Sequence, residues 1–202
     1  MVYQEKAAEL TKVIEGYLND DADWKEVKNS KGVKVWAKKS EMFGGRLYKA
    51  EGVIDSPKEK VFEMVEPKTD GKRPGWDKAI KGLETLETVD DKTSVVRTVT
   101  HSAAKGLISS RDFVDVTVTV EADDYVATIA QSVTHSNCPE ESGVVRGTNH
   151  PCGLICRPEG DKTKLIHFCQ ADIGGMLPTS LVESALPSNI VSFYESLREA
   201  LK

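Results

Sequence analysis

The sequence predicts an α+β fold, in which one curved antiparallel β-sheet is covered on its inner face by a long helix from the end of the chain. Three observations carry this. Residues Phe113 to Val120 alternate with a two-residue period, placing Val114, Val116, Val118 and Val120 on one face and Phe113, Asp115, Thr117 and Thr119 on the other. Short turns such as Asp90-Asp91, Ala122-Asp123-Asp124 and Glu159-Gly160-Asp161 join successive strand-like runs, as consecutive antiparallel pairing requires. From Leu181 to Lys202, Val182, Leu186, Ile190, Phe193, Leu197 and Ala200 form a wide apolar stripe at helical spacing, with Glu183, Glu195, Arg198 and Glu199 off it.

In chain order, Tyr3, Ala7, Leu10, Ile14 and Tyr17 mark an amphipathic helix over residues 3 to 18, stopped by Asn19-Asp20-Asp21. Strands follow over Trp24 to Lys28 and Val33 to Lys38, split by the turn Asn29-Ser30-Lys31-Gly32, and over Arg46 to Val53. Ser56-Pro57-Lys58-Glu59 reads as an N-cap, a proline at the first helical position and a capping-box acid. The helix it opens carries Val61, Phe62 and Val65 and ends near Pro67. After a loop from Lys68 to Gly75 the signal is mainly strand: Leu83 to Val89, Ser94 to Thr100, Phe113 to Val120, Tyr125 to Thr134, Gly143 to Asn149, Leu154 to Arg157, and Lys164 to Ala171. The long connection His101 to Ser110 carries Leu107 and Ile108 near its tip, and loops of this kind often move or carry function. Gly174-Gly175 reads as a flexible approach to the last helix, which Pro187 is expected to kink.

The 202 residues suit one domain, 1–202, large enough to bury a core and still enclose a cavity. With 39% hydrophobic and 29% charged residues and a net charge of -5, and with no long single-sign run, the composition speaks against a nucleic-acid partner. Met1-Val2-Tyr3-Gln4-Glu5-Lys6 does not read as a leader, and there is no run of about 18 apolar residues. The expectation is a cytoplasmic protein, peripheral to membranes. The four cysteines, Cys138, Cys152, Cys156 and Cys169, match no zinc or redox spacing and read as reduced, buried thiols. His101, His135 and His167 fall on separate strands or strand ends without a metal motif. Neither a Gly-x-Ser-x-Gly elbow nor a phosphate-binding glycine motif is present, so the expectation is a non-enzyme without metal or cofactor.

Individual residues give narrower expectations. Arg111 and Asp112 are neighbours on a strand, so they point to opposite faces and each needs its own partner. Arg97 interrupts the β-branched run Thr93 to Thr100, beside Val99, and either faces water or makes a polar contact inside a cavity. Asn149-His150-Pro151 forms a turn from which His150 could donate to a ligand hydroxyl.

Taken with Gly147-Thr148-Asn149-His150-Pro151-Cys152-Gly153 and the terminal helix, the run Ser109-Ser110-Arg111-Asp112-Phe113-Val114 resembles the START family, the StAR-related lipid-transfer domains. The match is best to their small single-domain group, which carries cholesterol, oxysterols or bile acids. The resemblance implies a helix-grip fold, a curved antiparallel β-sheet wrapped around a long C-terminal helix with an internal lipid tunnel. It also implies a monomeric carrier that binds one sterol-like lipid or bile acid and, through transient membrane contact, transfers it between membranes. Arg73 and Trp76 then fall near one end of the tunnel. With them, Arg97, Val99, Asn149, His150, Leu186, Ile190 and Phe193 are the candidate ligand contacts, and Leu107, Ile108, Met176, Leu177 and Leu181 the candidate gate. Arg111-Asp112 falls where the long loop re-enters the sheet, as its anchor. Where some cholesterol-binding members place an acid and an arginine across the tunnel, this chain has Thr98 and Thr117. Two alternatives use the same fold: a cyclase-like enzyme, which needs an acid and a base converging in the tunnel, and a lipid-sensing interaction module.

Overall fold

The computed structural model describes residues 2–102, 106 and 108–202. Helix α1 (Val2–Leu18) leads into strands β1 (Lys25–Ser30), β2 (Val33–Lys39) and β3 (Arg46–Ile54), then helix α2 (Lys58–Val65). Strands β4 (Ile80–Thr88), β5 (Thr93–Thr100), β6 (Arg111–Glu121) and β7 (Val126–Ser132) follow, then the short β8 (Val145–Arg146) and β9 (Thr148–Asn149). Strands β10 (Cys152–Glu159), β11 (Lys162–Cys169) and β12 (Ala171–Asp172) precede helix α3 (Thr179–Ala200). A ten-stranded sheet runs in the order β1-β2-β3-β11-β10-β7-β6-β5-β4, with β8 alongside β6, while β9 and β12 form a separate pair.

Strand alternation gives the sheet two apolar faces, and each is covered. On the outer face Val118, Ile129, Ile155, Ile166 and Phe168 pack under Ala7, Leu10 and Ile14 of α1. On the inner face Ala50, Leu154 and Leu165 pack under Val61 and Val65 of α2 and Ile190, Tyr194 and Leu197 of α3. The valine face of β6 is therefore the outer one, and Phe113, Asp115 and Thr117 turn inward. This is the helix-grip fold. The C-terminal half of α3 is pinned to the sheet: the Tyr194 hydroxyl lies 3.3 and 3.0 Å from the carbonyl oxygens of Ala50 and Leu165, and Arg198 donates to the carbonyl of Val53 at 2.8 Å.

Two local expectations are corrected. Ser56 does not cap α2, which has Pro57 at its N-cap position without a side-chain bond. Ser56 lies in the bend after β3, its carbonyl accepting from Thr163 Oγ1 at 2.6 Å. The strand expected over Gly143 to Asn149 divides into β8 and β9, which belong to different sheets. The break falls at Gly147, where a Cβ would lie 2.3 Å from the Phe113 ring. Helix α3 runs on through Pro187, which is buried.

Candidate functional site

Between α3 and the sheet lies a cavity of about 460 Å³. Leu186, Ile190 and Phe193 project into it from α3, Ile108 from the long loop and Phe113 from β6, so most of the wall is hydrocarbon. Polar wall residues come from separate elements and include Arg73, Asp77 and Lys78 from the turn before β4, His101 after β5, Arg111 from β6, His167 from β11 and Asn189 from α3. A second space, also about 460 Å³, lies between β4–β7 and the segment after α2. Its wall is mainly hydroxyls and charges, including Thr85, Ser94, Thr117, Asp90 and Lys92, and suits a hydrocarbon ligand poorly.

Arg73 and Asp77 lie one helical step apart, and Arg73 Nε donates to Asp77 Oδ2 at 3.1 Å. The guanidinium also rests over the Phe193 ring, 5.5 Å from its centroid. His167 occupies the inner face of β11 between Leu165 and Cys169, with its ring 5.4 Å from that of Phe193. Burial, with a smaller contribution from Arg73, pushes the imidazole down to about 3, so the ring is neutral at physiological pH. Burial likewise pushes the Cys169 thiol beside it up to about 11 and keeps it protonated.

The Arg111-Asp112 pair works in both directions from β6. Arg111, 5% exposed, faces inward. Its Nε donates to the Ile173 carbonyl at 3.0 Å and its Nη2 to that of Gly174 at 3.4 Å, while Nη1 reaches Ser109. It thus ties the exit of the long loop to the approach of α3. Asp112 faces outward and accepts from Arg97 Nε at 3.0 Å and from Arg146 Nε at 2.7 Å. Burial alone would raise the Asp112 carboxyl, but these hydrogen bonds and charges outweigh it and hold it below the usual range. Behind the cavity wall, Asp115 accepts from Ser132 Oγ at 2.7 Å and Asn149 Nδ2 at 2.8 Å, and burial raises its carboxyl to about 6.

The cavity brings together Arg73, Leu186, Ile190, Phe193 and Ile108 of the expected residues. Five expected contacts belong elsewhere. Arg97 stands opposite Val114, and Val99 opposite Asp112, so both share the outer face. Trp76 is 8% exposed and packs behind Phe193, its Nε1 donating to the Met64 carbonyl at 2.8 Å. Asn149 is held by Asp115, and His150 stacks on Phe43 with ring centroids 4.7 Å apart. Of the expected gate, Leu107 lies outside the described residues, Met176 is fully exposed, and Leu177 and Leu181 are half-buried. The sequence reading missed Asp77, Phe113 and His167 as wall residues. For His167 the signal was available: it shares strand parity with Leu165 and Cys169, so an inward apolar face must also hold the imidazole.

An open antiparallel sheet gripping a terminal helix, with a mainly apolar cavity between them, defines the helix-grip class of domains. Within that class, the START domain family model matches residues 4–202. StAR-related lipid transfer protein 5 of Homo sapiens is 40% identical over 190 residues, covering 92% of this chain and 89% of that protein. StAR-related lipid transfer protein 4 of Homo sapiens is 35% identical over 192 residues, covering 94% and 92%. The solved structure of human StAR-related lipid transfer protein 5 superposes with a TM-score of 0.95 at 36% identity, covering 98% of this chain and 96% of that one. The chain belongs to the START domain family. Among the described residues, no helix is long and apolar enough to cross a membrane.

Proposed function

We propose that this chain binds one sterol-like lipid, cholesterol, an oxysterol or a bile acid, in the cavity beneath α3 and carries it between membranes. The observation that carries the reading is the cavity itself: about 460 Å³, largely hydrocarbon, with a small set of polar groups on its wall. That volume lies within the roughly 300–1,000 Å³ of small-molecule sites. Enclosing about 400 Å² of apolar ligand surface would contribute about 10 kcal/mol before ordering costs at ~25 cal/mol per Å². The relatives named as lipid transfer proteins support the same reading. A carrier fits the wall better than a catalyst, because the Asp77 carboxylate is engaged by Arg73 and by the backbone N–H of Ala79.

A ligand of this size needs an opening, and the N-terminal half of α3 with the loop carrying Leu107 and Ile108 is the proposed gate. Met176 stands fully in solvent just before α3, placed to touch a bilayer. The test is transfer of the fluorescent sterol dehydroergosterol between donor and acceptor vesicles. The protein is expected to accelerate it, and no acceleration would contradict the function. Met176→Asp should slow transfer several-fold without changing sterol affinity, since the side chain supports no internal packing. An unchanged rate would remove Met176 from the membrane contact.

A further inference from the structure

Resting on the carrier reading above, we propose that His167 Nε2 fixes the polar end of the ligand, and that the ligand so selected presents an uncharged hydroxyl or keto oxygen rather than a carboxylate. The ring lies in the cavity wall; its Nδ1 is buried without a hydrogen-bond partner, and among the described residues Nε2 makes no hydrogen bond to the protein. Buried polar groups are rarely left this way, and one in the wall of a mainly apolar cavity asks for a ligand atom. The tautomer follows from the surroundings. Nδ1 is sealed from solvent without a partner. A sealed N–H is costlier than a sealed lone pair, so the proton resides on Nε2, which donates to a ligand oxygen.

The charges on the wall favour an uncharged oxygen. Arg73, over the same Phe193 ring, is matched by Asp77 at 3.1 Å, and Lys78, at the rim of the same wall, is largely exposed to solvent and lies 3.8 Å from Glu199. That end of the cavity is therefore close to neutral. Arg111 directs its N–H groups to the backbone oxygens of Ser109, Ile173 and Gly174, which hold it in the fold. A carboxylate in this chamber would have to take a guanidinium from an existing partner or lie unpaired against hydrocarbon, at high cost. A hydroxyl needs one donor, and His167 supplies it.

The experiment is competition against bound dehydroergosterol by cholesterol, by 5-cholestene, which lacks the hydroxyl, and by cholic acid. The wild-type protein is expected to release the probe to cholesterol at roughly tenfold lower concentration than to 5-cholestene, with cholic acid weaker than cholesterol. In His167→Phe the cholesterol advantage should collapse, and His167→Gln, whose amide nitrogen can take the place of Nε2, should restore much of it. A preference that survives in His167→Phe, equal competition by the two neutral sterols, or a preference for cholic acid would each overturn the inference. Failure of the wild-type protein to bind dehydroergosterol at all would instead overturn the carrier reading. Should His167→Phe not fold, the ¹⁵N resonances of wild-type His167 decide: a protonated Nε2 that shifts on adding cholesterol supports the inference, and an unshifted one contradicts it.

Discussion

Asp112→Ala should lower the free energy of unfolding by about 3–5 kcal/mol, the loss expected when one partner of a buried ionic cluster is removed. Asp112 is 2% exposed and receives Arg97 Nε at 3.0 Å, with Arg146 Nε and Nη2 at 2.7 and 2.9 Å. Without it two largely buried guanidiniums face each other across β6. Arg97 keeps Glu141 and Arg146 keeps the carbonyl oxygens of Cys138 and Pro139, so the protein should fold, but at a much lower urea midpoint. Urea unfolding followed by tryptophan fluorescence measures this. A loss below about 1 kcal/mol, the range of exposed ion pairs, would mean that water replaces the carboxylate and that the cluster is peripheral.

The second large effect is acid lability traced to His167. The unfolded chain's imidazole takes up a proton near its ordinary value of 6.5, whereas the folded ring resists protonation down to about 3. A base with a lowered folded value contributes nothing above the unfolded value and destabilises the fold progressively as pH falls between the two. At pH 5 the loss is about 2 kcal/mol. Asp115 works in the opposite direction: its carboxyl is raised from 3.8 to about 6, so its penalty is present above that value and relieved as pH falls toward the lower one. Comparing wild type with His167→Phe at pH 7.5 and pH 5 separates the two, because Asp115 is common to both proteins. The stability difference should move by about 2 kcal/mol in favour of the variant at pH 5. An unchanged difference would show that the folded ring accepts a proton as readily as the unfolded one.

Most of the architecture was legible in the sequence because each element announces itself by periodicity. The alternation of Phe113 to Val120 and the apolar stripe of α3 lie where the structure places them. What periodicity cannot supply is which face of a strand looks inward. Arg97 illustrates this: a charge within a β-branched strand suggested a cavity contact, but the parity of β5 sends it to the outer face, toward Asp112. His150 was misplaced for a related reason, since the ring of a turn residue goes where a neighbouring loop offers a surface, here Phe43. Ser56 does not cap α2, and its carbonyl accepts from Thr163, an interaction between positions 56 and 163 that local reading does not contain. Arg73, Leu186, Ile190 and Phe193 line the cavity, the first expected from family resemblance and the others from helical spacing. His167 carries no metal motif in the sequence, but a lone imidazole can serve a ligand without a metal.

The cavity beneath α3 is the centre of the proposed function, and native mass spectrometry of the purified protein tests it most directly, paired with Ala185→Trp. Ala185 lies in the cavity wall on α3, so an indole there would occupy the ligand's space. The expected result is one bound lipid of sterol mass per chain in the wild-type protein, either retained from the host or taken up from cholesterol-containing vesicles, and none in a folded Ala185→Trp variant. A wild-type protein that stays bare after exposure to those vesicles, or an adduct that persists unchanged in the folded variant, would contradict it.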